Sequence, residues 1–435
     1  MSGKSANGAS AARLEACLAR IADPALEGDK VFSQVFAEEA RLAAAAADQR
    51  AAPLGPLDGR VVSVKNLFDV AGRVTTAGSA VLRGHPAAPR DAAVVARLRG
   101  AGAVIVGKTH MTEFAFSGIG INPHDGNPGN PRDRSLIPGG SSSGAVISVL
   151  DGMADIGLGS DTGGSLRIPA ALCGAVGFKP SSGRVPTDGA FPLSTTLDTV
   201  GAIARTVADC AWADEVLSGV PLPAPQPFDR DGLTLTIPRG RLFDMLDAPV
   251  ARAFERAADT LRAAGFLVRD GSIEAELDLQ AELDGVGTFP SVELSARLEA
   301  EGLADLAGID PKIAARIEAG RRVLATDYLR MIRLRAQMVE RMDRHLASGE
   351  ILVLPTVPML APAISRLVED DAEFHRINGL ILRNTRVANL FDLPAISLPV
   401  GGAPLPVGLM LAGRRLSDRR LLAAAAAIEP LIGDR

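Results

Sequence analysis

Between Ile137 and Pro186 the chain carries two glycine–serine clusters, Gly139-Gly140-Ser141-Ser142-Ser143-Gly144 and Thr162-Gly163-Gly164-Ser165, separated by a short apolar segment. Glycine lets backbone approach a ligand closely and adopt positive φ. Serine supplies hydroxyls that attack, relay a proton or donate a hydrogen bond. Ser165 follows Ser141 by 24 residues, a separation that suggests two loops meeting at one site. Ser143 to Leu150 reads as a helix that starts at the first cluster, and Ala154 to Leu158 as a buried strand running into the second. The free N–H groups of a helix N-terminus suit a site where negative charge develops.

The flanking pattern extends this organisation. Val61 to Val64 reads as a short buried strand ending at Lys65. Val94, Val95 and Leu98 mark a helix, with Asp91 as its cap and Gly100 and Gly102 closing it. Val104 to Val106 is the next strand. Strand, helix and strand in alternation predict a parallel or mixed sheet with helices on both faces and chemistry in loops at strand ends. Upstream, Leu14, Cys17, Leu18 and Ile21 repeat at helical spacing. An Ala-rich helix is predicted from about 34 to 50, stopped by Pro53, Gly55 and Pro56. Downstream, strands are predicted at Leu233–Ile237 and Ile351–Leu354, and an amphipathic helix at Pro249–Ala264. A charged helical stretch covers about 275–350, clearest from Asp327 to His345. Pro394–Val400 and Val407–Leu411 read as an antiparallel pair at one side of the sheet, before a terminal helix. The expected organisation is a disordered tail over 1–10 and one domain over 11–435. That domain has a helical front section (11–53), a core at about 61–215 and a substrate-side region at about 275–350.

The two clusters sit inside longer motifs: P-G-G-S-S-S-G, then G-S-D-T-G-G-S-L-R-I-P-A-A-L-C-G, then G-F-K-P-S-S-G-R-V-P. V-S-V-K-N-L-F-D-V-A-G at 62–72, T-T-A-G-S at 75–79 and G-K-T-H-M-T-E-F at 107–114 precede them. In order and spacing these resemble the amidase signature family. The resemblance implies an α/β amidase signature fold, a central mixed β-sheet flanked by helices on both faces. It also implies an amidase that hydrolyses a carboxylic amide C–N bond to acid plus ammonia or amine through a serine acyl-enzyme. It makes Ser165 the nucleophile, Ser141 the bridge, set after a cis peptide bond, and Lys65 the base. The N–H groups of Thr162, Gly163, Gly164 and Ser165 would form the oxyanion hole, each such donor being worth roughly 3–4 kcal/mol in a comparable site. Ser142, Asp161 and Arg167 are supporting residues. A lysine acts as a base only if burial or nearby positive charge lowers its pKa, and the apolar neighbours Val61–Val64 and Leu67-Phe68 favour that. His110, Asn66, Ala145 and Gly129 depart from the family's usual residues, which touches pocket shape and not the triad.

Other classes fit less well. The net charge is −5 and aromatics make up 4%, so neither a basic footprint nor a base-stacking platform for nucleic acid is present. No stretch is long enough to span a bilayer, and a cytoplasmic enzyme without nucleic-acid or membrane partners is expected. Its substrate is a small amide, and a homodimer is compatible with the chain. Cys17, Cys173 and Cys210 are widely spaced without C-x-x-C, which fits a reducing compartment and no structural zinc. Neither a metal nor a cofactor is expected, and no nucleotide-binding glycine motif stands in its proper context. Gly140–Gly144 matches G-x-S-x-G, but Pro138 spoils the preceding strand and the later histidines, His345 and His375, lie in charged helical contexts. An esterase using Ser142 is therefore a weaker alternative, as is the amidase subunit of a glutamine-dependent amidotransferase. His110 and His124 flank a loop expected near the acyl pocket, where polar loop roles are favoured over substrate contact.

Overall fold

Alternation along one strand sets the architecture. In β2 (Val61–Lys65), Val61 packs into one apolar cluster with Leu14, Ala145 and Ile147, while Val62 and Val64 pack into another with Leu98 and Phe178. Side chains of a strand alternate between faces, so both faces of β2 are covered. Ser63, on the same face as Val61, meets Ser148 Oγ at 2.8 Å. Lys65 is next on that face. The computed structural model describes residues 8–221 and 233–433. The tail expected at 1–10 lies mostly outside them, and Ala9 already opens a helix.

Eleven strands among the described residues form a single mixed sheet. They are β1 (Phe32–Val35), β2, β3 (Val104–Thr109), β4 (Ile156–Asp161), β5 (Val176–Lys179), β6 (Thr199–Ala204), β7 (Thr234–Pro238), β8 (Leu267–Gly271), β9 (Ile351–Pro355), β10 (Ala395–Val400) and β11 (Val407–Ala412). Their order is β1-β3-β2-β4-β6-β5-β10-β11-β9-β7-β8. β2 runs parallel to β3 and β4, and β7 parallel to β8 and β9, whereas the central pairs are antiparallel. The parallel β2–β4 register sets Val64 beside Leu158, so Lys65 and Ser160 emerge at the same sheet end. The helix Ser143–Leu150 lies over β2, β4 and β6 and is buried along nearly its whole length. No helix among the described residues is long and apolar enough to cross a membrane.

Several expectations are corrected. The helix predicted from 34 begins at Ala37, because Phe32–Val35 pairs antiparallel with β3 and satisfies that strand's outer backbone groups. Asp91 does not cap the helix Ala93–Gly100. Its carboxylate accepts the Ala71 N–H at 2.8 Å and pairs with Arg99 at 2.9 Å. β10 and β11 form the predicted antiparallel pair, yet they lie inside the sheet between β5 and β9. β5, β6 and the long helix Asp371–Leu390 were not anticipated. β5 has only four residues, glycines interrupt both strands at Gly177 and Gly201, and the helix carries buried Asn378, Asn384 and Asn389 within its apolar pattern.

Gly177 shows how closely the helix Arg167–Cys173 approaches the sheet: a Cβ there would sit 2.4 Å from the Leu166 carbonyl oxygen. Overpacking of this kind costs about 1–3 kcal/mol. Gly177→Ala is expected to lower the unfolding free energy by that amount, read as a lower urea midpoint at unchanged m. Gly285→Ala, in open space on the helix Glu274–Val286, is expected to be neutral or slightly stabilising. Equal midpoints for the two variants would contradict this packing.

Candidate active site

The end of β2 and the loop before the helix Ser143–Leu150 converge on one buried amine. Lys65 is fully buried, and its Nζ donates to Ser141 Oγ at 2.7 Å and to Ser160 Oγ at 2.9 Å. The Gly140–Ser141 peptide is cis. Burial disfavours the charged amine and brings its pKa down from 10.5 to about 7, against the opposing pull of Asp198 and Asp161.

Ser165 lies on the loop that leaves β4. The Ser142 N–H donates to the Ser165 carbonyl at 3.3 Å, tying the two serine clusters together through backbone. The Ser165 hydroxyl makes no hydrogen bond to protein among the described residues, and the residue lines a pocket of about 260 Å³ together with Thr162 and Gly163. Ser141 is fully buried behind it. Ser142 is buried as well and donates from Oγ to the Ser160 carbonyl at 3.3 Å, so it faces away from the pocket.

Asp161 and Arg167 organise the loop. Arg167 donates from Nε and Nη2 to the two carboxylate oxygens at 3.0 and 2.8 Å, with both side chains fully buried. Burial alone would raise the Asp161 pKa; the Arg167 charge and hydrogen bonds outweigh it and hold the acid at about 2. Asn389 closes the set, donating to Asp161 Oδ1 at 2.8 Å and accepting from Arg167 Nη2 at 2.7 Å. Asp161 also accepts the Gly164 N–H at 2.8 Å and the Leu166 N–H at 3.2 Å. The Gly164 donor is thus engaged and is withdrawn from the expected oxyanion hole. The N–H groups of Thr162, Gly163 and Ser165 make no hydrogen bonds among the described residues. Gly164 itself has φ 137°, and a Cβ there would lie 2.3 Å from Thr385 Oγ1.

Some participants had no signal in the sequence. Ser160 is an ordinary serine until β2 and β4 pair. Asp198 is half-buried and receives the Thr162 hydroxyl at 2.5 Å and the Leu193 and Ser194 N–H groups at 2.9 and 3.0 Å, with desolvation raising its pKa to about 6. Asn378, Arg316 and His375 line the pocket from helices whose residue types are unremarkable. Neither loop histidine reaches it. His110 meets Ser143 Oγ at 2.8 Å and is held neutral by burial, at about 4. His124 Nε2 lies 3.0 Å from the buried Glu113 carboxylate. Cys173 is fully buried and donates to the Pro138 carbonyl at 3.2 Å, as a packed small side chain does.

Similarity to known proteins identifies the family. The Amidase family model matches residues 12–422. The chain is 37% identical over 407 residues to 2-amino-5-chloromuconic acid deaminase of Comamonas testosteroni, covering 91% of this chain and 87% of that one. It is also 37% identical over 468 residues to a glutamyl-tRNA(Gln) amidotransferase subunit of Anaeromyxobacter dehalogenans, strain 2CP-C, covering 97% and 92%. A solved amidase structure superposes with a TM-score of 0.85 at 31% identity, covering 98% of this chain and 96% of that one. The mixed sheet and its buried loops are thus those of a known fold, and the chain belongs to the amidase family, hydrolases of carbon–nitrogen bonds.

Proposed function

We propose that the protein cleaves a linear carboxylic amide through a Ser165 acyl-enzyme, with Ser141 as proton relay and Lys65 as base. The observation that carries this reading is the Lys65 Nζ–Ser141 Oγ contact of 2.7 Å on an amine with no exposure to water. An amine with a pKa of about 7 is substantially neutral at physiological pH. Its lone pair then accepts the Ser141 proton along that contact, while Ser141 Oγ takes the proton of Ser165. Ser165 Oγ attacks the amide carbon, and the developing oxyanion is met by N–H groups of residues 162, 163 and 165. Collapse breaks the C–N bond. The leaving amine receives the proton from Lys65 by way of Ser141. Water then adds to the acyl-enzyme by the same relay and releases the acid and free Ser165. The two serine hydroxyls close their remaining gap in the substrate complex, as catalytic hydrogen bonds commonly do.

The esterase alternative loses its nucleophile, because Ser142 is buried and absent from the pocket lining. The amidotransferase reading keeps one supporting observation, the 37% identity to the Anaeromyxobacter dehalogenans protein over most of both chains. It predicts ammonia release from glutamine only when partner proteins are added. The amidase reading predicts hydrolysis by the isolated chain.

Ser165→Ala is expected to abolish ammonia release over an amide panel and to lose labelling by a fluorophosphonate probe. Retained turnover would remove Ser165 from the mechanism. Because the base works deprotonated, kcat/KM should rise with pH across about 6–8 and level off above the Lys65 pKa; a rate that falls over that interval contradicts a neutral lysine. Ser160→Ala removes one acceptor from Lys65 Nζ, and a hydrogen bond of this kind is worth about 0.5–1.5 kcal/mol. The expected result is a loss of about 3–10-fold in kcat with a small change in KM, read by steady-state kinetics.

A further inference from the structure

The pocket that holds Ser165 is lined by aliphatic, aromatic and neutral polar side chains, with Arg316, Arg386 and His375 as its titratable members and no Asp or Glu. The two arginines differ in one respect. Arg386 is already paired with Asp284, by Nη1 at 3.3 Å and by a short Nη2 contact to the other carboxylate oxygen. Arg316 has no carboxylate within ion-pair distance among the described residues. Its guanidinium lies over the Phe116 ring, 3.9 Å from the centroid, and its Nη1 donates to the Phe116 carbonyl. A guanidinium carries five N–H donors, so this anchoring leaves donors turned to the pocket.

The side chain is also preorganised. Its helix, Pro311–Arg321, is held where it begins by the Asp310 N–H, which donates to the buried Glu113 carboxylate at 2.7 Å. The segment from Glu113 to Phe116 thus fixes both the start of the helix and the guanidinium. Burial pulls the Arg316 pKa down to about 10, helped by the neighbouring Arg386 charge, yet the group stays cationic at neutral pH. Arg316 is half-buried, and a partly desolvated cation without a counter-ion is favoured by a ligand that supplies the opposite charge; a planar fork suits a carboxylate.

We propose that Arg316 anchors a carboxylate of the substrate, so that the preferred substrates are small amides bearing a carboxylate a few bonds from the scissile carbonyl. This rests on the amidase reading above. Arg316 here is a specificity-determining residue, and Arg386, held by Asp284, shapes the wall beside Gly163, where its Cγ would lie 3.6 Å from a Cβ.

The test compares ω-amic acids (succinamic, glutaramic and adipamic) with neutral alkyl amides of matched chain length, using ammonia release and a Ser165→Ala blank. The best amic acid is expected to exceed its neutral counterpart in kcat/KM by about 30-fold or more, the scale of a charge-assisted hydrogen bond. Arg316→Met should cut that ratio by at least about tenfold, mainly through KM, and Arg316→Lys should restore part of it. A merely structural arginine would lower both substrate classes alike and leave the ratio unmoved. Succinate should inhibit the wild-type enzyme competitively, a measurement that decides the matter even if Arg316→Met fails to fold. A ratio near one together with no inhibition by succinate overturns the assignment while Ser165-dependent hydrolysis of neutral amides leaves the amidase reading standing. Absence of Ser165-dependent hydrolysis from both sets overturns both.

Discussion

An amine removed from water is the constraint around which the site is built. A buried lysine stays charged if a carboxylate stands beside it and becomes neutral if none does. Here the two acids near enough to matter are otherwise engaged. Asp161 is bound by Arg167 and Asn389. Asp198 is held by the Thr162 hydroxyl and two backbone N–H groups, with burial drawing it toward its neutral form. What touches Lys65 Nζ is a pair of serine hydroxyls. These are groups that tolerate either protonation state of the amine and can themselves pass a proton.

The fold delivers that arrangement through the parallel pairing of β2 and β4. Parallel neighbours end on the same side, so the pairing of β2 with β4 places Lys65 beside Ser160 and starts the second glycine loop at the next residues. The covering helix Ser143–Leu150 begins at the same end, on the face that strand alternation assigns to Lys65, and its preceding loop supplies Ser141. The buried Asp161–Arg167 pair then shapes the loop that carries Ser165. Removing one partner of such a pair leaves an uncompensated charge, which costs about 3–5 kcal/mol. The pair therefore holds the loop whatever its net contribution to stability.

The motif residues were legible because their chemistry is local. Glycines mark close backbone approach, serines mark hydroxyls, and a lysine at the end of an apolar strand marks an amine about to be buried. Lys65 and Ser141 come together as the spacing suggests, and the Asp161–Arg167 pair forms. Ser160, Asp198 and Asn389 were not legible, since each becomes special only through a partner in a distant segment. Asn389 lies 228 residues from Asp161. The engagement of the Gly164 N–H was hidden for a similar reason: a backbone donor in a glycine loop looks free until the side chain that captures it, here Asp161, is in place. The sheet was legible in class but not in order. Short strands such as β5 carry too few residues for a period to show, and β10 and β11 gain their interior position from neighbours far away in the chain.

The most direct measurement is the ionisation of Lys65 itself. Lysine labelled with 13C at Cε, with the resonance assigned by its disappearance in Lys65→Met, would report that amine alone across pH 5–11. The account predicts a midpoint near 7, well below that of exposed lysines. A midpoint at 10 or above would mean that the amine is a cation throughout the working range, and the proton relay through Ser141 would have no acceptor.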